Sequence, residues 1–276
     1  MENSGSNINS LVPYHAAGLI KVQVSMQATD KILFERAERY FNMGFVSLNS
    51  RILNSVTENF SQMIMDDRQY ISNHNFDFKV RNNPDDYYDA IRLFSKAIAT
   101  CETYIIAYEF RGHANFELKK FHDAIADFTK TIELDPNYLM GYYSRGNARY
   151  YLEAYHDAID DFTKATEIDP HFALAYNNRG IAKNELGNFR EAIDDFTKAI
   201  ERYPAYAFAY NNRGFVKSFL RKYDEAIEDF NRAIEIDPEY ANAFYNRGNA
   251  KRELNDMDGA MGDYAIYNKL KNRDED

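Results

Sequence analysis

Two acidic doublets, Asp160-Asp161 and Asp194-Asp195, are the side chains in this sequence most able to do chemistry. A carboxyl that keeps its proton beside one that stays ionised is the arrangement that cleaves glycosidic bonds. His122 and His156 are the next candidates, as metal ligands or proton carriers. Both sets share one spacing: each member lies 34 residues from its counterpart. Ligands for one metal ion on one helix lie far closer than that. The remaining histidines, His15, His74, His113 and His171, are scattered, with no Cys or carboxylate cluster to complete a site. A glycine-rich phosphate loop followed by Lys and Ser or Thr does not occur. The expectation is a protein that is not an enzyme, with no catalytic, cofactor or metal residues.

The spacing belongs to the whole chain. Pro136, Pro170, Pro204 and Pro238 keep it, as do Gly112, Gly146, Gly180, Gly214 and Gly248. A period of 34 residues is long enough for two short helices and two turns. Such an array buries each unit against its neighbours and presents a long surface rather than a closed pocket. Aligned on the prolines, the units run 105–138, 139–172, 173–206, 207–240 and 241–274. Within them position 4 is aromatic (Tyr108, Tyr142, Tyr176, Tyr210, Phe244) and position 8 is Gly. Position 20 is Ala (Ala124, Ala158, Ala192, Ala226, Ala260) and position 24 is aromatic again (Phe128, Phe162, Phe196, Phe230, Tyr264). Positions 4, 8 and 11 share one face of a first helix, and 20, 24 and 27 one face of a second. The small residues let the two helices approach, and the aromatics fill the space around that contact. Asp-Pro at 135–136, 169–170 and 237–238 ends the second helix, because the residue before Pro is pushed out of the helical region.

These five consecutive units closely resemble the tetratricopeptide repeat family, from Ile105 to about Lys271. The resemblance implies an all-α fold, a right-handed superhelix (α-solenoid) of antiparallel helix pairs whose first helices line a concave face. Upstream the frame weakens. Residues 37–104 read as degenerate helical repeats. In 71–104 the second helix fits, with Tyr87, Ala90, Phe94 and Ala97 in phase, while 37–70 is a degenerate unit or an unrelated hairpin. Residues 1–36 read as a tail and an extra segment, partly disordered, in which 19–27 suits a helix or a strand.

Position 7 is Arg in all five good units and position 23 is Asp, giving Arg111 with Asp127, Arg145 with Asp161, Arg179 with Asp195, Arg213 with Asp229, and Arg247 with Asp263. Upstream both disappear together: Met43 or Asp77 takes one position, Asn59 or Leu93 the other. A structural ion pair between the helices of each unit is the expectation, since a guanidinium fork matches a carboxylate. The alternative is an arginine row that reads an acidic ligand.

The resemblance assigns ligand contact to variable positions of the first helix. Here they supply a peptide-binding groove of Tyr143, Ser144, Asn147, Tyr150, Leu174, Asn177, Asn178, Phe208, Asn211, Asn212, Phe215, Tyr245, Asn246 and Asn249. Asn178, Asn212 and Asn246 resemble the asparagine ladder of O-GlcNAc transferase, in which amides bond a peptide main chain. The bland alternative is that these amides merely fill a helix surface. The family's dicarboxylate clamp is not expected, because positions 2 and 5 carry no Lys.

Composition narrows the partners. The 276 residues carry 33 basic and 43 acidic side chains, a net charge of −10. That balance disfavours a nucleic-acid backbone. No run of 18 apolar residues occurs, so no membrane span is expected. A lone Cys101 suits a reducing compartment, and a cytoplasmic location is expected. The array ends near the last second helix, so self-association through some subset of Met261, Tyr264, Ile266, Tyr267 and Leu270 on that helix is a further expectation. The sequence therefore suggests a protein–protein adaptor or scaffold that holds an extended peptide. The alternatives are a structural subunit docked through its N-terminal region and uncapped C-terminal helix, and a peptide-responsive sensor.

Overall fold

Helix boundaries in this protein follow the punctuation of the repeat. The computed structural model describes residues 84–273, and every regular element in them is an α-helix. In chain order these are α1 Pro84–Thr100, α2 Ile105–Glu117, α3 Phe121–Leu134, α4 Leu139–Tyr151, α5 Tyr155–Ile168 and α6 Ala173–Glu185. There follow α7 Phe189–Arg202, α8 Ala207–Phe219, α9 Tyr223–Ile236, α10 Ala241–Glu253 and α11 Met257–Arg273. The expected tail, the segment 19–27 and the unit 37–70 lie outside the described residues.

Two compact units divide these helices. In the first, α2 packs on both α1 and α3. In the second, α4 to α11 each pack on the next in sequence. There the first helices α4, α6, α8 and α10 also touch one another in turn, forming one layer. The architecture is thus an all-α solenoid of helix pairs.

The second helices α3, α5, α7 and α9 stop at an extended residue. Asp135, Asp169, Tyr203 and Asp237 have φ between −139° and −129° with ψ near 100°. Each first helix stops differently, at a left-handed residue: Lys119, Glu153, Gly187, Arg221 and Asn255 have φ of 57° to 76°. The following N–H reaches back to close the helix, as in Lys120 to the Asn115 carbonyl (2.8 Å) and Lys222 to the Lys217 carbonyl (2.9 Å). This is the Schellman closure, for which Gly is the usual residue. Three of the five turns use a long charged side chain instead, at a cost of about 1 kcal/mol each.

Helix pairing is set by the glycine at position 8 and the ring at position 24. A β-carbon placed on Gly180 would lie 2.8 Å from Cε1 of Phe196, and Gly112, Gly146, Gly214 and Gly248 are equally tight against their rings. Phe196 is fully buried and has no room to retreat. Gly180→Ala is therefore expected to destabilise the protein by about 1–3 kcal/mol through overpacking, in spite of alanine's better helix propensity. Gly262 in α11 meets nothing within 4 Å. Gly262→Ala is expected to stabilise by up to about 1 kcal/mol. Urea denaturation of the two variants checks the opposite signs.

Candidate functional site

Every position-23 carboxylate is buried between its two helices and meets the position-7 arginine. The Nη2–Oδ1 distances are 2.6 Å for Arg111–Asp127, 2.7 Å for Arg145–Asp161, 2.6 Å for Arg179–Asp195, 2.7 Å for Arg213–Asp229 and 2.6 Å for Arg247–Asp263. The Nε group completes the fork, as from Arg179 to Asp195 Oδ2 at 2.9 Å. The third nitrogen reaches the preceding repeat. Nη1 donates to Ser95 (3.0 Å) from Arg111, to Thr163 (3.1 Å) from Arg179, to Thr197 (3.0 Å) from Arg213 and to Asn231 (2.6 Å) from Arg247. Each guanidinium also lies 5.3–5.7 Å from the centre of its position-4 ring. Arg111, Arg179, Arg213 and Arg247 thus each tie a repeat to the helix pair before it, beyond the pairing within a repeat. With all three nitrogens of Arg179 engaged in the interior, it has no exposed fork to offer an acidic ligand.

A second donor on the first helix was not singled out from the sequence. Position 11 brings Arg149 to Asp161 at 2.7 Å, Lys183 to Asp195 at 2.9 Å, Lys217 to Asp229 at 2.8 Å and Lys251 to Asp263 at 2.9 Å. Recurrence of a cation four residues after the Arg was the available signal. The exception is Asn115, whose amide donates to Asp127 at 3.2 Å. Two of these carboxyls shift in opposite directions. Burial pushes Asp127 above the usual 3.8, against the opposing hydrogen bonds of Arg111 and Asn115. Burial pulls Asp263 upward too, but hydrogen bonds and charge from Arg247 and Lys251 outweigh it and hold the group below 3.8. The raised group binds more protons folded than unfolded, so its contribution falls as pH climbs from 3.8 through its folded value. Asp263 has the opposite sign, adding stability above 3.8 that is lost as pH drops through its folded value. Asn115→Lys is expected to move the Asp127 carboxyl downward from its raised value, because an added cation favours the ionised form, read directly by carboxyl-carbon NMR titration.

The asparagines form a chain of their own along the α4–α6–α8–α10 layer. Asn246 Nδ2 donates to Asn211 Oδ1 (2.9 Å), and Asn212 Nδ2 to Asn177 Oδ1 (3.1 Å). Asn177 Nδ2 donates to Asn178 Oδ1 (3.0 Å). Asn178 Nδ2 then donates to Asn147 Oδ1 (2.9 Å) and to the Tyr143 hydroxyl (3.1 Å). Asn178 therefore has both amide hydrogens engaged. Asn212 and Asn246 each keep one hydrogen and further acceptor capacity. Burial pushes the Tyr143 phenol up to about 12, so it stays protonated in this network.

The proposed contact residues divide by exposure. Tyr143, Ser144, Leu174, Asn177, Phe208 and Asn211 are buried, forming the floor of the layer rather than open contact points. Asn147, Tyr150, Asn178, Asn212, Asn246 and Asn249 are half-buried at its surface. Phe215 and Tyr245 stand out, 48% and 44% exposed, and Phe219 joins them at 65%. Phe219 was not among the expected contacts, yet these three rings line one cleft of about 380 Å³ with Ser218, Asn246 and Asn249. The last repeat partly closes itself. Tyr264 donates to Asn249 at 2.9 Å, and Tyr267 lies 5.1 Å from Tyr245, occupying the position held by a small residue in the three units before it. Met257 and Met261 remain more than half exposed on α11.

Family models described as tetratricopeptide repeat match residues 105–138, 140–172, 173–206 and 196–228, and one described as TPR repeat matches 221–255. The chain belongs to the tetratricopeptide repeat family. Among solved structures, MamA is 26% identical, with a TM-score of 0.55 over 59% of this chain and 96% of MamA. YrrB, described as a TPR protein with an unusual peptide-binding site, is 25% identical, with a TM-score of 0.52 over 64% of this chain and 91% of YrrB. Pseudomonas aeruginosa PilF, 18% identical with a TM-score of 0.56 over 60% of this chain and 76% of that one, shares the fold. No curated protein matches the chain in sequence. Membership of the tetratricopeptide family supports a protein-interaction adaptor or scaffold in general terms. Among the described residues of this repeat protein, no helix is long and apolar enough to cross a membrane.

Proposed function

We propose that this tetratricopeptide protein is a non-catalytic adaptor that holds an extended peptide segment along the α4–α6–α8–α10 layer. The observation that carries this reading is the pairing of unused amide capacity at Asn212 and Asn246 with the exposed rings of Phe215 and Tyr245. Amides bond a main chain whatever its side chains, while aromatic anchors supply affinity at few points. YrrB, a TPR protein with a peptide-binding site, adds support by likeness. Because Asn178 is already bonded to two partners, the ladder is uneven, and contact is strongest toward the α8–α10 end.

Affinity capture with the full chain, followed by identification and synthesis of the bound segment, tests the proposal. Asn212→Ala with Asn246→Ala is expected to weaken that segment about 10- to 100-fold, the loss of two main-chain hydrogen bonds. Unchanged affinity would contradict it.

A second reading, a structural subunit or self-associating chain docked through α11, is favoured by exposed Met257, Met261 and Ile266. A concentration-dependent rise in mass by light scattering, abolished by Met261→Lys, would support that reading. A strictly monomeric mass at high micromolar concentration would argue against self-association.

A further inference from the structure

The outward face of α11 departs from the pattern kept by the other second helices. Position 26 is Lys130, Lys164, Lys198 and Arg232 in α3, α5, α7 and α9, and position 29 is Glu in each of them. Lys130 bonds that Glu at 3.0 Å, Lys164 at 2.6 Å and Arg232 at 2.7 Å. In α11 the same two positions hold Ile266 and Lys269. Position 22, acidic in α5, α7 and α9, is Gly262, and a β-carbon there meets nothing within 4 Å. Position 25 offers the next repeat's arginine a hydroxyl or amide at Ser95, Thr163, Thr197 and Asn231, but is Ala265 in α11. Ala265 has no side-chain acceptor, so this face is not built to receive the first helix of a further repeat.

The replacements make the face its own complement. Asp258, Gly262, Ala265 and Lys269 follow one line of α11 at i, i+4, i+7 and i+11 spacing, with Met261 and Ile266 on its two flanks. All six are exposed, Met261 by 67% and Ile266 by 40%. Asp263 and Tyr264 point the other way, onto Arg247 and Gly248 of α10. Turned end for end about its midpoint, the line keeps its chemistry: Asp258 exchanges with Lys269, Met261 with Ile266 and Gly262 with Ala265. Laid antiparallel on a second α11, it sets opposite charges at both ends, small residues at the crossing and apolar side chains over each flank. Small residues there let the helix axes approach to about 8 Å, the short end of the usual range. A parallel pairing would set Lys269 against Lys269 and Asp258 against Asp258. Self-complementarity about a two-fold axis is what an isologous contact requires.

We infer that α11 is a dimer interface, an antiparallel contact with α11 of a second copy of this chain in which Asp258 of each copy faces Lys269 of the other. The inference rests on the reading of α11 as a self-associating surface and names its partner, register and closure. A two-fold contact of this kind closes on itself, so assembly stops at two copies.

Sedimentation velocity of the full chain, from low to high micromolar concentration, is the test, and the unaltered chain is expected to pass from one copy to two. Asp258→Lys alone and Lys269→Asp alone each place two like-charge pairs across the contact, and each is expected to weaken the dimer about tenfold or more. Mixed together, the two variants pair only opposite charges, and the mixture is expected to regain most of the lost affinity. Gly262→Gln is expected to weaken the dimer by wedging the helices apart, while helix content by circular dichroism and the urea stability of the monomer are kept. A mixture no tighter than either variant alone, or a mass that climbs past two copies, would overturn the inference. If Met261→Lys abolishes association while the charge exchanges change nothing, the antiparallel register fails and docking through α11 stands. If the unaltered chain stays monomeric at high micromolar concentration, both the register and self-association fail. A monomeric chain that captures a different protein, lost on Met261→Lys, would assign the face to that partner and overturn the inference as well.

Discussion

Asp195→Ala is expected to lower stability by about 3–5 kcal/mol, the largest single loss available outside the aromatic core. Asp195 is 1% exposed and receives Arg179 at 2.6 Å and Lys183 at 2.9 Å. Removing it leaves a buried guanidinium with nothing to neutralise it, and the cost is chiefly that uncompensated charge. The pair itself contributes far less than this number suggests. Replacing the whole cluster, as Arg179→Met and Lys183→Met with Asp195→Leu, is expected to recover most of the loss, because a buried ionic cluster exchanged for apolar side chains is close to neutral. Asp195→Asn is expected to fall between, keeping an acceptor but not the charge. Repeat arrays unfold piecewise, so one midpoint is an incomplete readout. Hydrogen exchange is the sharper check. Protection is expected to fall first in α6 and α7, and in α5, which Arg179 reaches through Thr163. A loss below about 1 kcal/mol would place the pair with exposed surface bridges.

Phe215→Ala is expected to weaken the bound segment about 30-fold or more, the effect of truncating an interface anchor. The ring is nearly half exposed, so the same substitution is expected to change folding stability little. That separation matters. A variant that lost both affinity and stability would say only that the layer had collapsed. Isothermal titration beside urea denaturation reads the two effects independently. Affinity unchanged by Phe215→Ala would remove the cleft from the binding surface.

Much of the fold was legible because its determinants are tied to residue type. Only Gly fits under the rings of Phe128, Phe162, Phe196 and Phe230, so position 8 is visible as a column of glycines. Pro136, Pro170, Pro204 and Pro238 mark the second-helix ends for a similar reason. The turns after the first helices were not legible. Lys119, Glu153 and Arg221 adopt a conformation that favours Gly, and their identities give no hint of it. Helix packing on both sides imposes the turn, and the backbone bears the strain. The layer of first helices was half legible. Asn rows read alike whether they face solvent or one another, and sequence does not say that Asn177 and Asn211 are buried donors to their neighbours. The donors at position 11 were visible in type, as Arg149, Lys183, Lys217 and Lys251, but their target is fixed only when the helices dock. Tyr267 departs from the small residues at its position in the three units before it, a departure whose meaning needs Tyr245 beneath it.

Peptide binding along the α4–α6–α8–α10 layer, as proposed, makes that layer the working surface. Chemical-shift mapping of the captured segment on the isotope-labelled full chain tests it most directly. Shifts are expected to concentrate on the first helices, at Asn212, Phe215, Tyr245 and Asn246, with the second helices α5, α7 and α9 little affected. Shifts confined to α11, around Met257 and Met261, or to the second helices, would contradict it.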